Sequence, residues 1–487
     1  MVKNSDSNTR QAIWVAIGSC TAFGFTIISS MILSRYFNKV EYGTYKQVMY
    51  VYSTLLIIFT LGLPQAFGYF LPRVPIVQGK SIVNKITIVL LFMGLIFSMS
   101  LFIGSSLIAS ILKNPDLITA IRIFSPVPLL LLPTMGLDSI YATYKKTYVS
   151  AIYNILTKIL QLIFVIVPIF IFSPTVKVAL IGFVIASFIS ALIALYLKNK
   201  PFKGYTNIAS NYNIKDIIRF SLPLMAAGIW GMIINSTDQF FISRYFGTVT
   251  FAEFSNGAME LPFVGMIVSA CSTVLYPLFS KYSHDGLDAK EKIYPIWLSV
   301  FSKTAMLIYP LVVFCWFYSS QIMEFLYGTQ YEHSGIYFRI KLFGNLFTLI
   351  AFAPVILSIG ATKYYAKVHA YGAIVLVILE WLAVKIVYDP YIVIVISVLC
   401  HISRILLLLH LIAKYFKVSL IMLFPINLIF KIIVPSSILL LILERFLNLN
   451  SLFLELLIGG SVYIIFMVVV SIILKINYKT LFKSLVK

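Results

Sequence analysis

Apolar runs of roughly 20 residues recur along almost the whole chain, separated by short polar gaps. A helix of that length crosses a hydrocarbon layer of ~30 Å. Inside such a layer each backbone N–H and C=O must find its partner within the protein, which leaves only helices and closed barrels. Barrel strands would alternate apolar and polar residues with a period of two, and these runs do not. Composition agrees: of 487 residues, 60% are hydrophobic and 11% charged, with a mean hydropathy of +0.96. Soluble domains carry about a quarter charged residues, and one water-soluble core has too little interior to hide this much apolar chain. The expected fold is an all-α polytopic membrane protein of about fourteen transmembrane helices. The spans are read at 12–34, 47–71, 86–111, 120–143, 148–172, 176–197, 220–243, 252–280, 293–319, 336–360, 369–388, 391–413, 424–443 and 453–474.

The net charge of +21 does not point to nucleic acid, because the cations sit in short gaps between spans and no basic segment is long enough to form a groove. Their distribution sets orientation instead. With the N-terminus in the cytoplasm, the even-numbered gaps and both tails hold most of the Lys and Arg, including Lys145, Lys146, Lys198, Lys200, Lys203, Lys290, Lys292, Lys414 and Lys417. The opposite gaps hold few, among them Lys39, Lys113, Lys177 and Arg445. Both termini are therefore expected to be cytoplasmic. The apolar run after the polar start MVKNSDSNTRQ is long and lacks a convincing cleavage site, so it reads as a retained helix. Cys20, Cys271, Cys315 and Cys400 lie scattered in apolar runs without metal or disulfide spacing.

One sequence pattern occurs twice. Residues 34–45 read SRYFNKVEYGTY and residues 243–254 read SRYFGTVTFAEF, with Ser34/Ser243, Arg35/Arg244, Tyr36/Tyr245, Phe37/Phe246, Val40/Val249 and Tyr42/Phe251 matched. Six intervening spans give both copies the same orientation, so duplication into two parallel lobes is favoured over coincidence. The expected division is an N-lobe at 1–197, a cytoplasmic linker at 198–219, a C-lobe at 220–413, and two further helices with a tail at 414–487. The end of the linker, 212–220, suits a short interfacial helix.

Charge within the bilayer costs ~2.5–3.5 kcal/mol at mid-depth, so intramembrane polar residues mark candidate sites. Asn154, Lys158 and Gln161 follow helical spacing and share one face. Lys303, and Lys341 with Asn345 and Thr348, behave similarly. Arg35, Arg244, Arg339 and Lys341 lie near an interface, where snorkelling also accounts for them; Lys158 and Lys303 lie deeper and are expected to face a cavity. The acids are Asp138, Asp238, Glu260 and Glu380, the last within reach of Arg404 as structural glue or as a functional pair. Deep bases outnumber unpaired deep acids, which suits an anionic substrate. Prolines at 64, 126, 128, 133, 168, 223, 262, 277, 310, 354 and 435 are expected to kink spans. No phosphate loop, HExxH or GxSxG occurs, and the longest connection is short and basic, so an enzyme is the weaker class.

The strings ILSRYFNKVEYGTYKQ (32–47), LGLPQAFGYFLPR (61–73) and STDQFFISRYFGTVTFAEFSNGAMELP (236–262) resemble bacterial polysaccharide or O-antigen flippases of the multidrug/oligosaccharidyl-lipid/polysaccharide exporter superfamily. Ala252 and Glu253 depart from the Gly43 and Thr44 of the first copy. The resemblance implies alternating-access transport of an undecaprenyl-pyrophosphate-linked oligosaccharide. It also implies a cationic cavity drawing on Arg35, Lys158, Arg244, Lys303, Arg339 and Lys341. The last two helices would groove the lipid tail. It implies no resident cofactor or metal, with a coupling proton or sodium ion at Asp138 or Asp238. Expected partners are the lipid-linked anionic glycan, membrane lipids, a polysaccharide polymerase and glycosyltransferases. A multidrug exporter, a lipid II flippase and a membrane polymerase are the competing readings.

Overall fold

A computed structural model of the chain describes residues 8–476, apart from Glu260, Asn448 and Asn450, together with Tyr478. Glu260 and most of the two tails assigned above to the basic side lie outside the described residues. The described residues are helical throughout, without a strand. They form two compact units, Met1–Ala252 and Glu253–Lys487.

The first unit contains α1 (Asn8–Tyr36), α2 (Lys39–Phe59), α3 (Leu63–Phe70), α4 (Ile76–Leu112), α5 (Leu117–Phe124), α6 (Val127–Leu131), α7 (Leu137–Thr143), α8 (Thr147–Ile171), α9 (Val176–Asn199) and most of α10 (Ile214–Gly257). The second contains α11 (Pro262–His284), α12 (Tyr294–Phe317), α13 (Ser319–Tyr327), α14 (Ser334–Thr348), α15 (Ala353–Ser358), α16 (Thr362–Ile386), α17 (Pro390–Phe416), α18 (Ile426–Phe446) and α19 (Leu452–Ile473). Among the described residues, 13 helices are long and apolar enough to cross a membrane, or 14 when the bent pair Lys39–Phe59 and Leu63–Arg73 counts as one. The chain is thus a multi-pass membrane protein.

Several boundaries differ from the sequence reading, each for a local reason. The second span begins at Lys39 rather than 47, because Asn38 caps it: the Asn38 side chain accepts from Glu41 N at 2.8 Å. The seventh span runs a few residues past 243 to a break at Gly247, whose φ of 84° no β-branched residue would adopt, and a separate helical stretch follows to Gly257. The expected interfacial helix at 212–220 is instead the start of α10. The Asp216 carboxylate accepts from Asn213 N at 2.8 Å, so the helix starts there and continues through 220 into the span. The two repeat copies break in register: Asn38 and Gly247 both follow SRYF, at the same offset as the repeat.

The prolines divide into two groups. Pro168, Pro223, Pro277, Pro310 and Pro435 lie inside helices. Pro64, Pro128, Pro133, Pro262 and Pro354 occupy the first turn of a new segment, where the missing N–H costs nothing. The fourth span is consequently broken into α5, α6, a 3-10 turn at Leu132–Thr134 and α7.

The linker is tied down. Ile208 N donates to the Val77 carbonyl at 3.0 Å and Ser210 N to Ser81 Oγ at 3.2 Å. Lys85 Nζ donates to the carbonyls of Ser210 and Tyr212 at 3.2 and 2.7 Å. Lys198, expected in a solvated loop, is 2% exposed; its ammonium donates to Thr87 Oγ1 at 3.2 Å and stands 4.7 Å from the Phe67 ring centroid.

Helix packing uses small residues, as expected where lipid supplies no hydrophobic contrast. The buried face of α9 carries Ala179, Gly182, Ala186, Ser187, Ser190 and Ala194 against α8 and its neighbours. At Gly182 the contact is closest: a Cβ there would stand 1.8 Å from the Phe164 carbonyl oxygen. Outward faces stay apolar, as with Phe92, Phe102 and Ile103 on α4. Because backbone cannot yield as a side chain does, Gly182→Ala is expected to destabilise the first unit by about 1–3 kcal/mol. The check is a lower thermal unfolding midpoint of the detergent-purified protein.

Candidate functional site

Two lysines face one cavity within the first unit. A cavity of about 400 Å³ is lined by Thr26, Ser29 and Ser30 of α1, Tyr45, Lys46 and Tyr52 of α2, and Lys158 and Gln161 of α8, with apolar walls including Leu131 and Phe183. Helical spacing puts Lys158 and Gln161 on one face of α8, and the structure points that face into the cavity. Lys158 Nζ donates to Gln161 Oε1 at 3.2 Å. Opposite, Lys46 Nζ donates to Ser30 Oγ at 3.2 Å and lies 5.1 Å from the Tyr42 ring centroid, one helical turn back. No carboxylate is found among the described residues lining the cavity. Each ammonium retains donors beyond those it uses here. Two such cations in a low-dielectric pocket favour an anion, and the surrounding hydroxyls suit a phosphate or a sugar.

Beside this cavity a buried polar network joins the two repeat copies to the end of α4. The α4 helix ends on Lys113 in a left-handed conformation, which presents Asn114 inward. Asn114 Nδ2 donates to Thr44 Oγ1 at 3.0 Å and Gln47 Oε1 at 2.6 Å. Gln47 Nε2 donates to Ser243 Oγ at 2.7 Å. Arg244 donates to the Ile111 carbonyl, one of those left open at a helix C-terminus. Gly43 permits this approach, since a Cβ on it would stand 2.3 Å from the Thr248 carbonyl oxygen.

The remaining residues singled out by sequence are dispersed. Arg35 is exposed in a shallow recess with Ile28, Met31 and Tyr36, apart from the Lys46–Lys158 cavity. Arg244 serves the α4 terminus. In the second unit Lys303 is half-buried on α12. Arg339 donates to Ser319 Oγ at 3.0 Å and stacks over Trp316 at 5.2 Å, a local anchor between α13 and α14. Lys341, on α14, is close enough to His401 to act on it electrostatically. His401 Nε2 bonds Thr348 Oγ1 at 3.0 Å, and Arg404 packs across Gly372 of α16. Glu380 is fully buried, and it and Arg404 both bear electrostatically on Cys400. Asp138 is exposed and accepts from Asn154 Nδ2 at 3.3 Å. Asp238 is buried, accepts from Gln239 N at 2.9 Å and acts electrostatically on Tyr50.

The sequence reading missed Lys46, because it placed the start of the span one residue later. The Asn38/Glu41 cap was the available signal. It also missed the amide network, since it placed Gln47 at the edge of a span and Asn114 in the gap between 111 and 120.

With this geometry in view, the comparisons with known proteins are specific. The profile of the family described as "Polysaccharide biosynthesis protein" matches residues 9–283. The chain belongs to that family. The capsular polysaccharide biosynthesis protein CapF of Staphylococcus aureus is 28% identical over 207 residues, 41% of this chain and 49% of CapF. The chain thus spans about half the length of that curated relative. Among solved structures, the inward closed conformation of the lipid II flippase MurJ is similar at a TM-score of 0.73 with 17% identity, covering 98% of this chain and all of that one. An inward-facing MATE-family multidrug transporter of the MOP superfamily gives 0.63 at 11% identity, over 84% of this chain and 99% of that one. A MOP-superfamily transporter from Pyrococcus furiosus gives 0.58 at 14%, over 84% and 96%. At these identities the likeness is one of fold, shared with the MurJ and MATE-family structures.

Asn114→Ala would leave Gln47 Oε1 and Thr44 Oγ1 buried without their donor. The expected loss is about 1–3 kcal/mol of stability, read as a lower thermal midpoint while the helical circular dichroism at room temperature is retained.

Proposed function

We propose that the protein flips an undecaprenyl-pyrophosphate-linked oligosaccharide across the bacterial inner membrane by alternating access, in the assembly of a surface polysaccharide. The observation that carries this reading is the acid-free cavity holding Lys46 and Lys158. A pyrophosphate brings negative charge that two ammonium groups offset. The hydroxyls of Thr26, Ser29, Ser30 and the two tyrosines offer the neutral hydrogen bonds that a sugar uses. Family membership and the name of the S. aureus relative support the glycan side of the proposal. A cationic drug is a poor occupant of a pocket with two lysines and no carboxylate.

In this mechanism the headgroup enters the cavity from the cytoplasmic leaflet and its phosphates engage Lys46 and Lys158. The polyprenyl tail stays in lipid. Asp238, buried and near Tyr50, is a better-placed coupling residue for a proton or sodium ion than the exposed Asp138. A glycan polymerase and glycosyltransferases would act downstream and upstream of transport.

The test is rescue of surface glycan in a strain lacking its own flippase, with the lipid-linked intermediate quantified. Wild type should restore glycan and clear the intermediate. Lys46→Gln and Lys158→Gln should each cut rescue by about tenfold or more, the equivalent of ~1.4 kcal/mol of substrate binding, whereas Lys158→Arg should retain most of it. If both Gln variants export glycan at the wild-type rate, the cationic-cavity reading is wrong. Rescue of lipid II transport in place of glycan export would reassign the substrate.

A further inference from the structure

The second unit carries a basic recess that shares no residue with the Lys46–Lys158 cavity. Where α12, α18 and α19 meet, a cavity of about 450 Å³ is lined by Met306, Asn427, Lys431, Leu474, Lys475 and Ile476, among others. Its walls are mainly apolar, three of its side chains are polar, and two of those are cationic. No Asp or Glu occurs among the described residues lining it. Lys431 Nζ donates to the Leu474 carbonyl at 3.3 Å, which spends one of its three protons. Lys475 follows immediately, in a left-handed conformation (φ 54°) with its side chain exposed.

The position of the recess along the bundle fixes its surroundings. Tyr294 at the start of α12 donates its hydroxyl to the Met422 carbonyl, in the 3-10 segment Leu420–Leu423 that joins α17 to α18. That end of the unit therefore gathers Lys290 and Lys292 before α12, Lys414 and Lys417 at the end of α17, and Lys475 after α19. The other end carries fewer cations, Lys385 and Arg445, beside Glu332, Asp389 and Glu444. By the distribution of Lys and Arg this is the cytoplasmic end. Lys431 lies five residues into α18, an axial rise of about 7.5 Å. A helix that enters the membrane at its first turn places such a residue near the boundary between headgroups and acyl chains.

One helical face links the recess to lipid. Asn427, Lys431, Val434 and Ile438 follow one another at helical spacing along α18. Val434, Ile438 and the neighbouring Leu441 are exposed apolar residues on the unit's surface. Charge is thus offered at headgroup depth, and an apolar track leads from it toward mid-membrane.

We propose that this recess binds the phosphate of an anionic membrane phospholipid of the cytoplasmic leaflet, such as phosphatidylglycerol. Lys431 and Lys475 hold the phosphodiester, the Asn427 amide donates to one of its oxygens, and an acyl chain lies along Val434, Ile438 and Leu441. Basic recesses between membrane helices on the cytoplasmic side are suited to such headgroups. The bound lipid would bridge the start of α18 to the end of α19, so its occupancy should be read in the stability of the second unit. The proposal does not rest on what the Lys46–Lys158 cavity transports.

The test uses the full-length protein purified in a neutral detergent, with its thermal midpoint measured after adding phosphatidylglycerol, phosphatidylcholine or inorganic phosphate. Phosphatidylglycerol should raise the wild-type midpoint by about 2–4 °C, and the other two should not. The Lys431→Gln/Lys475→Gln double variant should lose that shift, and Lys431→Arg/Lys475→Arg should keep it. Lys475→Gln alone, at an exposed position, should fold normally and show a reduced shift, which guards against loss of the double variant through misfolding. An undiminished phosphatidylglycerol shift in the double Gln variant overturns the proposal. So does equal protection by phosphatidylcholine or by inorganic phosphate alone.

Discussion

In hydrocarbon no water is at hand to complete a hydrogen bond, and that single deprivation organises the molecule. Backbone groups are satisfied by helix formation, and the groups freed at each interruption must be met by side chains. The breaks show how. Glu41 Oε2 accepts from Val176 N at 2.7 Å, closing the start of α9. Arg244 covers a carbonyl at the end of α4, and Asn38 caps α2. Charged and amide residues that look expensive in a membrane protein are, in many cases here, the partners of backbone that the fold has left open.

This sorts the cations by role. Lys85 and Lys198 are structural: one bonds carbonyls of the connection before α10, the other sits between Thr87 and the face of Phe67. Arg244 and Arg339 are likewise committed to local partners. Lys46 and Lys158 bond only to a hydroxyl and a side-chain amide, both neutral, in a cavity whose described lining has no acid. Charge that the fold has not neutralised remains available to a ligand, which sets those two lysines apart from the others in the first unit.

Much of the fold was legible because lipid enforces one simple pattern. Span number, helical class and the Lys158–Gln161 face followed from run length and spacing alone. The repeat was visible too, and its in-register break at Asn38 and Gly247 agrees with it. What sequence did not disclose were relations across distance. Nothing local in Lys85 says that it will meet Ser210, and nothing in Arg244 says that a helix end will need it. Boundaries failed where capping chemistry outweighed hydropathy, as at Asn38, where a polar turn opens a helix that apolar averaging starts later. Gln47 and Asn114 were missed for a related reason: both fall at the edges of apolar runs, where a polar residue is unremarkable, though burial makes their hydrogen bonds consequential.

The bond between Gln47 and Ser243 also bears on the repeat. Ser243 is the counterpart of Ser34, and Gln47 is the counterpart of Asn256, another buried amide. One hydrogen bond thus joins an amide of the first copy to a hydroxyl of the second, and the two amide positions keep the same chemistry at different side-chain length.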